Sequence, residues 1–159
     1  HVFGLQTTRG ITSGPEHYAV RSVRSDRYKY IVNLTPETAF SNNITQTDRK
    51  WFSFWQTWIE AGASDPVARA KTERFVRRPG EELYDLVADP YEQHNLANDP
   101  QLATTKADLR ARLEAWMQDQ GDTGQAAEMA ANYRNLKTPE GKAAYPYDDL
   151  SKRRRSEAD

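Results

Sequence analysis

The chain has 159 residues, enough for one domain, and its 22 Lys and Arg residues balance its 23 Asp and Glu residues. This near-neutral charge argues against nucleic acid as a partner, because generic binding needs an excess of cations facing phosphates. The absence of cysteine excludes disulfides, thiolate catalysis and cysteine-based zinc sites. The apolar runs are too short to span a bilayer, so we expect no membrane partner.

A short strand pair is predicted near the amino terminus. Residues 1–16 have the pattern of a strand end followed by a loop. Residues 17–24 and 27–34 are rich in Tyr, Val and Ile, and Ser25 and Asp26 between them favour a turn. Alternation along the second strand places three side chains on one face, namely Tyr28, Tyr30 and Val32.

Two helices are predicted next. The first begins at a cap formed by Thr47 or Asp48 and ends at Gly62, and Ser64 or Asp65 caps the second. Apolar residues recur along one side of the first helix at Trp51, Phe52, Trp55, Trp58 and Ile59. We expect this stripe to be core or interdomain packing, with a sugar-stacking platform as the alternative.

The remaining elements are a third strand and a long helix. Residues 81–87 alternate weakly as a strand, Asp89-Pro90 begins a turn, and a helix follows from about Pro100 to Gly121. Its apolar side is formed by Leu102, Leu109, Leu113 and Trp116 or Met117. Residues 123–136 predict one more short helix before a polar tail. The pattern favours an α+β fold, a small antiparallel sheet with helices packed on one face.

Two segments together resemble a known family. They are HYAVRSVRSDRYKYIVNL at 17–34 and ELYDLVADPYEQHNLANDP at 82–100, the latter followed by an amphipathic helix. The combination resembles the C-terminal subdomain of type I, formylglycine-dependent sulfatases of the alkaline phosphatase-like superfamily, most of all the heparan N-sulfatase (sulfamidase) group and bacterial glycan sulfatases. The resemblance implies that residues 1–16 end the catalytic domain, 17–122 form the subdomain and 123–159 are an extension or tail.

The resemblance implies a hydrolase that removes sulfate esters or N-sulfate groups from a sulfated glycan, such as a glycosaminoglycan. Family members use calcium and a formylglycine made within Cys/Ser-x-Pro-x-Arg. The Ser-x-Pro triplets that begin at Ser13 and Ser64 both lack the Arg. We therefore expect calcium and formylglycine in a catalytic N-terminal half, which would be the partner of this chain. The chain alone would then be inactive and would hold no metal. Family membership also implies a secreted, periplasmic or lysosomal location.

A sulfated sugar needs Arg or Lys for its sulfate groups and polar or aromatic partners for its hydroxyls and ring faces. The residues we expect to contact such a substrate are Arg9, His17 and Arg21. Each also has a structural interpretation. Arg9 would be a solvated loop charge, His17 a hydrogen-bonded surface histidine and Arg21 a member of an internal ion pair.

Two other functions remain open from the sequence. One is a non-catalytic carbohydrate-binding or interaction module, and the other is the C-terminal part of a related phosphodiesterase. The triplets that begin at Asn33 and Asn43 match the N-glycosylation pattern, which matters only in a glycosylating compartment.

Overall fold

The computed structural model describes residues 1–7, 13–45, 53–130 and 139. The chain forms two compact units, His1–Gln125 and Ala126–Asp159. The strands are β1 (Val2–Gln6), β2 (Val20–Arg24), β3 (Tyr28–Asn33) and β4 (Glu81–Asp85). The helices are α1 (Ser53–Ala61), α2 (Pro66–Val76), α3 (Ala103–Asp119), preceded by a 3-10 turn at Pro100–Leu102, and α4 (Gln125–Met129).

The strands form one four-stranded antiparallel sheet in the order β1-β2-β3-β4. This confirms the predicted α+β class, the antiparallel sheet and the 17–34 hairpin. In the turn of the hairpin, the amide and the hydroxyl of Ser25 both donate hydrogen bonds to the Tyr28 carbonyl. Residues 2–6, which the sequence assigned to the end of a preceding domain, pair along their whole length with β2. They therefore share one sheet with the hairpin.

Helix α3 covers one face of the sheet and forms the main core with it. The fully buried members of this core include Val23, Tyr30 and Leu83 from the sheet and Leu109 and Leu113 from α3. Removing a Leu side chain of this kind from water stabilises the fold by about 1.5–3 kcal/mol. The predicted inward faces of β3 and α3 are confirmed, because Tyr28, Val32, Leu102, Trp116 and Met117 pack against the same cluster.

The turn between β4 and α3, which the sequence predicted to begin at Asp89-Pro90, is held by hydrogen bonds from backbone amides to side chains. The Asn95 side-chain oxygen accepts hydrogen bonds from the amides of Leu83 and Ala97, both at 2.9 Å. The Asp89 carboxylate accepts from the His94 amide at 2.7 Å. These bonds satisfy backbone donors that a tight turn would otherwise leave unpaired, and so they fasten β4 to the following segment.

Helices α1 and α2 pack against each other, and the connection between them follows the predicted cap and stop signals. Asp65 accepts from the Val67 amide at 2.8 Å and caps α2, which begins at Pro66. Gly62 ends α1, and a Cβ atom there would lie 3.1 Å from the Cα of Arg69, so a larger residue would require the start of α2 to shift by a few tenths of an ångström. The predicted start of α1, with Trp51 and Phe52, lies outside the described residues.

The aromatic stripe of α1 is divided between core and surface. Trp55 is 3% exposed and its ring lies 5.3 Å from that of Phe75 on α2, which in turn contacts Phe40. Trp58, one turn later, is 55% exposed. The predicted packing role therefore holds for Trp55, and Trp58 is left at the surface of the described structure.

Candidate functional site

Arg21 forms the internal ion pair that the sequence left open as an alternative to substrate binding. It lies on the α3 side of β2, and its side chain is 3% exposed. Its Nε and Nη2 donate to the two carboxylate oxygens of Asp122, the second at 3.3 Å, and its Nη1 donates to the Gln6 carbonyl at 3.1 Å. The hydrogen bond from Arg21 holds the pKa of Asp122 below its ordinary value. This arginine ties β2 to the segment that follows α3.

The other two predicted substrate residues have different outcomes. Arg9 lies outside the described residues. His17 has a half-buried side chain, with Nε2 3.7 Å from the Glu16 carboxylate. Its carbonyl accepts a hydrogen bond from the Thr35 hydroxyl at 3.3 Å, and its Nδ1 is buried without a hydrogen-bond partner in the structure. His17 therefore lies shortly before β2 in the chain, and its Nδ1 atom makes no hydrogen bond in the structure.

The sheet face that points away from α3 contains a buried polar network centred on Glu82. Glu82 is 2% exposed and accepts hydrogen bonds from the Asn33 amide group at 2.7 Å and from the Tyr84 hydroxyl. Its carboxylate also lies 3.6 Å from a guanidinium nitrogen of Arg78. Asn33 donates a second bond to the Pro79 carbonyl at 2.6 Å. Because this amide nitrogen is buried and doubly engaged, Asn33 is not a glycosylation acceptor in the folded chain.

A cavity of about 320 Å³ opens on this second face, and we call it the polar-face cavity. Its wall includes Gly4, Gln6, Tyr18, Ser22, Lys29, Ile31, Phe40, Phe75 and Arg78. The strand register explains the juxtaposition, because Gly4 lies opposite Ser22 and Ser22 opposite Ile31 across three neighbouring strands. The size falls at the lower end of the range typical of ligand pockets, which begins at about 300 Å³.

Two cations reach the polar-face cavity, and they differ in how far they are neutralised. Lys29 is held by the Glu92 carboxylate at 2.8 and 3.0 Å. Arg78 makes no hydrogen bond with any other described residue, and its 3.6 Å approach to Glu82 leaves most of its N–H donors available. Its side chain is 39% exposed. Arg78 is therefore the stronger candidate for binding an anionic group.

Tyr18 adds an un-ionised hydroxyl group to the wall of this cavity. Burial raises its pKa, the nearby Arg78 opposes that rise, and Glu82 adds to it. The Tyr18 ring also packs against Phe40, with ring centroids 5.0 Å apart. Cationic, hydroxyl and aromatic groups thus converge in one concave site, which is the combination that a sulfated sugar requires.

The described residues include no group of His, Asp or Glu side chains that could hold a metal ion. This part of the chain therefore has no donor set that fits the calcium implied by the family resemblance. No helix in the described part of the chain is both long enough and apolar enough to cross a membrane.

Comparison with known proteins identifies the relatives of this chain, although no family model matches it. It is 31% identical over 157 residues to an ulvan-active sulfatase of Formosa agariphila, covering 98% of the chain and 28% of that protein. It is 31% identical over 122 residues to human N-sulphoglucosamine sulphohydrolase, covering 76% and 23% of the two lengths. The chain is a homologue of sulfatases. A third relative, the Delta 4,5-hexuronate-2-O-sulfatase of Bacteroides thetaiotaomicron, is 32% identical over 88 residues.

The chain spans only 28%, 23% and 16% of the lengths of these three sulfatases. The similarity therefore concerns one region of a sulfatase, in agreement with the resemblance seen in the 17–34 and 82–100 segments. The alignment with the first relative extends over almost the whole chain. It thus includes both strands of the hairpin and the turn that follows β4.

The sequence suggested either a substrate contact or an internal ion pair for Arg21, and it did not single out Arg78 or Lys29. Alternation along β3 places Lys29 on the face opposite Tyr30, a signal that was available from the sequence. No local pattern marks Arg78, which lies between the end of α2 and β4. Its place in the wall of the polar-face cavity depends on the pairing of β3 with β4.

Proposed function

We propose that this chain is the C-terminal portion of a sulfatase that hydrolyses sulfate esters or N-sulfate groups of a sulfated glycan. Its similarity to sulfatases, over up to 98% of the chain, supports this proposal. The alkaline phosphatase-like fold, formylglycine and calcium belong to the catalytic half of the same enzyme. A secreted, periplasmic or lysosomal location follows from the same relationship. The contribution of this chain is substrate recognition and closure of the cleft.

The polar-face cavity is the part of this chain that we assign to the glycan. Arg78 donates charge-assisted hydrogen bonds to a sulfate or carboxylate group, and Tyr18 and Ser22 bind sugar hydroxyls. His17 and Arg9, which precede Tyr18 in the chain, extend this recognition surface. Arg21 acts indirectly, because its ion pair fixes the strand on which Ser22 lies.

Binding of a sulfated ulvan oligosaccharide and of its desulfated counterpart, measured by calorimetry, tests the assignment of the cavity. The sulfated ligand should bind more tightly, and Arg78→Gln should weaken its binding about tenfold or more, since a hydrogen bond to a charged group contributes about 1.5–3 kcal/mol. Arg112→Gln is the matched control, because Arg112 is an exposed arginine on α3, on the other side of the sheet. Equal binding of the two ligands, or equal effects of the two variants, would refute the assignment.

Release of inorganic sulfate tests the enzymatic part of the proposal. The chain alone should release none from a sulfated oligosaccharide, whereas the longer polypeptide that contains it should. Arg78→Gln in that polypeptide should raise KM for the sulfated substrate with a smaller change in kcat, because the side chain binds substrate and does not react with it. Sulfate release by the chain alone would contradict the division of roles.

A further inference from the structure

The α1–α2 helix pair has an apolar surface that no described residue covers. Phe54, Trp58 and Ile59 are 44%, 55% and 43% exposed. They lie on one arc of α1, because residues four apart on a helix are neighbours. Glu60 is the single charged residue among the nine residues of this helix. An exposed cluster of large apolar side chains of this kind is typical of an interaction site.

A cavity of about 450 Å³ continues this surface between the two helices. Its wall includes Trp55, Ile59, Gly62, Val76, Arg69 and Arg77. We call these residues, together with Phe54 and Trp58, the α1–α2 surface. Arg69 and Arg77 are exposed and form no ion pair with another described residue. An apolar centre bordered by arginines is the usual anatomy of a protein–protein interface.

The ring geometry disfavours a sugar-stacking platform on this surface. The Phe54 and Trp58 rings meet edge to face at 68°, and the Trp55 and Trp58 rings are tilted by 55°. Trp55 is 3% exposed, so its face is already occupied. The rings therefore form an uneven surface into which side chains of a partner interdigitate. The three rings do not share one plane, so they do not form an extended flat platform for a saccharide.

We propose that the catalytic portion of the same sulfatase polypeptide docks on the α1–α2 surface, an inference that rests on the proposed function. Sulfatase relatives are several times longer than the matched region, which occupies 28% and 23% of the first two, so most of such a protein lies outside this chain. Trp58 and Phe54 insert into that portion. Its carboxylates or carbonyl oxygens accept hydrogen bonds from Arg69 and Arg77 at the border.

Hydrogen exchange of the 159-residue chain and of the longer polypeptide that contains it tests the docking. Amides of α1 from Phe54 to Ala61 should exchange at least tenfold more slowly in the longer polypeptide, whereas the core of α3 should change little. Equal exchange of α1 in the two proteins, with sulfate release intact in the longer one, would overturn the docking and leave the proposed function standing. Protection of α1 in a longer polypeptide that has no sulfatase activity would support the docking and refute the proposed function.

The variants Trp58→Glu and Tyr91→Glu provide a second readout. Tyr91 is 82% exposed and lies outside the α1–α2 surface, so it is the matched control. In the longer polypeptide, Trp58→Glu should lower Tm by several degrees and Tyr91→Glu should not, and neither should shift Tm of the 159-residue chain. Equal effects in the longer polypeptide would refute the docking. A dimer of the 159-residue chain that Trp58→Glu dissociates would also refute it, by assigning the surface to a second copy.

Discussion

Removal of the Asp122 carboxylate should destabilise the fold strongly, because the buried, charged Arg21 would lose the group that accepts two of its hydrogen bonds. The two side chains are only 3% and 12% exposed. Breaking a buried pair by removing one partner costs about 3–5 kcal/mol. The carbonyls of Gln6 and Val20 still accept from Arg21 at 3.1 Å, so we expect Asp122→Ala to lower the free energy of unfolding by about 3 kcal/mol.

Urea unfolding followed by tryptophan fluorescence measures this difference. Asp108→Ala is the control, since Asp108 pairs with Arg112 on the exposed side of α3, where the side chains are 56% and 49% exposed. An exposed pair contributes about 0–1 kcal/mol. If Asp122→Ala costs no more than Asp108→Ala, Arg21 does not depend on Asp122 in solution, and the reasoning from burial is wrong.

The same pair should make the fold sensitive to acid. The hydrogen bond from Arg21 is the main cause that lowers the pKa of Asp122 from its ordinary 3.8. A carboxyl group whose pKa is lower in the folded chain than in the unfolded chain stabilises the fold fully at pH values above its unfolded pKa. This stabilisation is lost as the pH falls through the folded pKa. The free energy of unfolding should therefore fall more steeply below about pH 4 in the wild type than in Asp122→Asn. Parallel pH profiles would contradict this.

Two further predictions concern the sheet. Gly4→Ala should lower Tm only slightly, because the new Cβ would lie 2.9 Å from the Ser22 hydroxyl, which can rotate away, and Ser22→Ala in the same chain should remove that loss. A loss that Ser22→Ala leaves unchanged would exclude this contact as the cause. Burial is the main cause that raises the pKa of Tyr30 and Tyr84, and hydrogen bonds to carboxylates add to it, so ultraviolet titration should show these two tyrosines ionising only as the chain unfolds in alkali. Their ionisation near pH 10 in the folded chain would contradict it.

Local signals were sufficient for much of the secondary structure. The cap at Asp65, the stop at Gly121 with its φ of 67°, and the alternation along β3 are properties of neighbouring residues, and the structure follows each of them. The strand predicted at 81–87 is β4, and it is shorter than predicted because it ends at Asp85. The Asp85 carboxylate accepts hydrogen bonds from the Val87 and Ala88 amides and so begins the turn.

The candidate site depended on contacts that no local pattern contains. The partner of Arg21 is Asp122, which follows α3, and the two meet because α3 packs across the sheet face that contains Val23. Arg78 and Lys29 both reach the wall of the polar-face cavity because β3 pairs with β4. The sequence alone left two roles open for Arg21 and gave no signal for Arg78, whose N–H donors are largely available in the fold.

The sequence by itself determined the family resemblance, the α+β class and the faces of the strands and of α3, because these depend on short-range periodicity and on turn residues. Only the tertiary structure decided which cations are paired, which aromatic residues of α1 are covered and where a concave site opens. Those outcomes depend on which distant segments pack together, since burial and neutralisation of a side chain are properties of its spatial neighbours. Arg21 and Arg78 are the same residue type, and their different surroundings in the fold separate their roles.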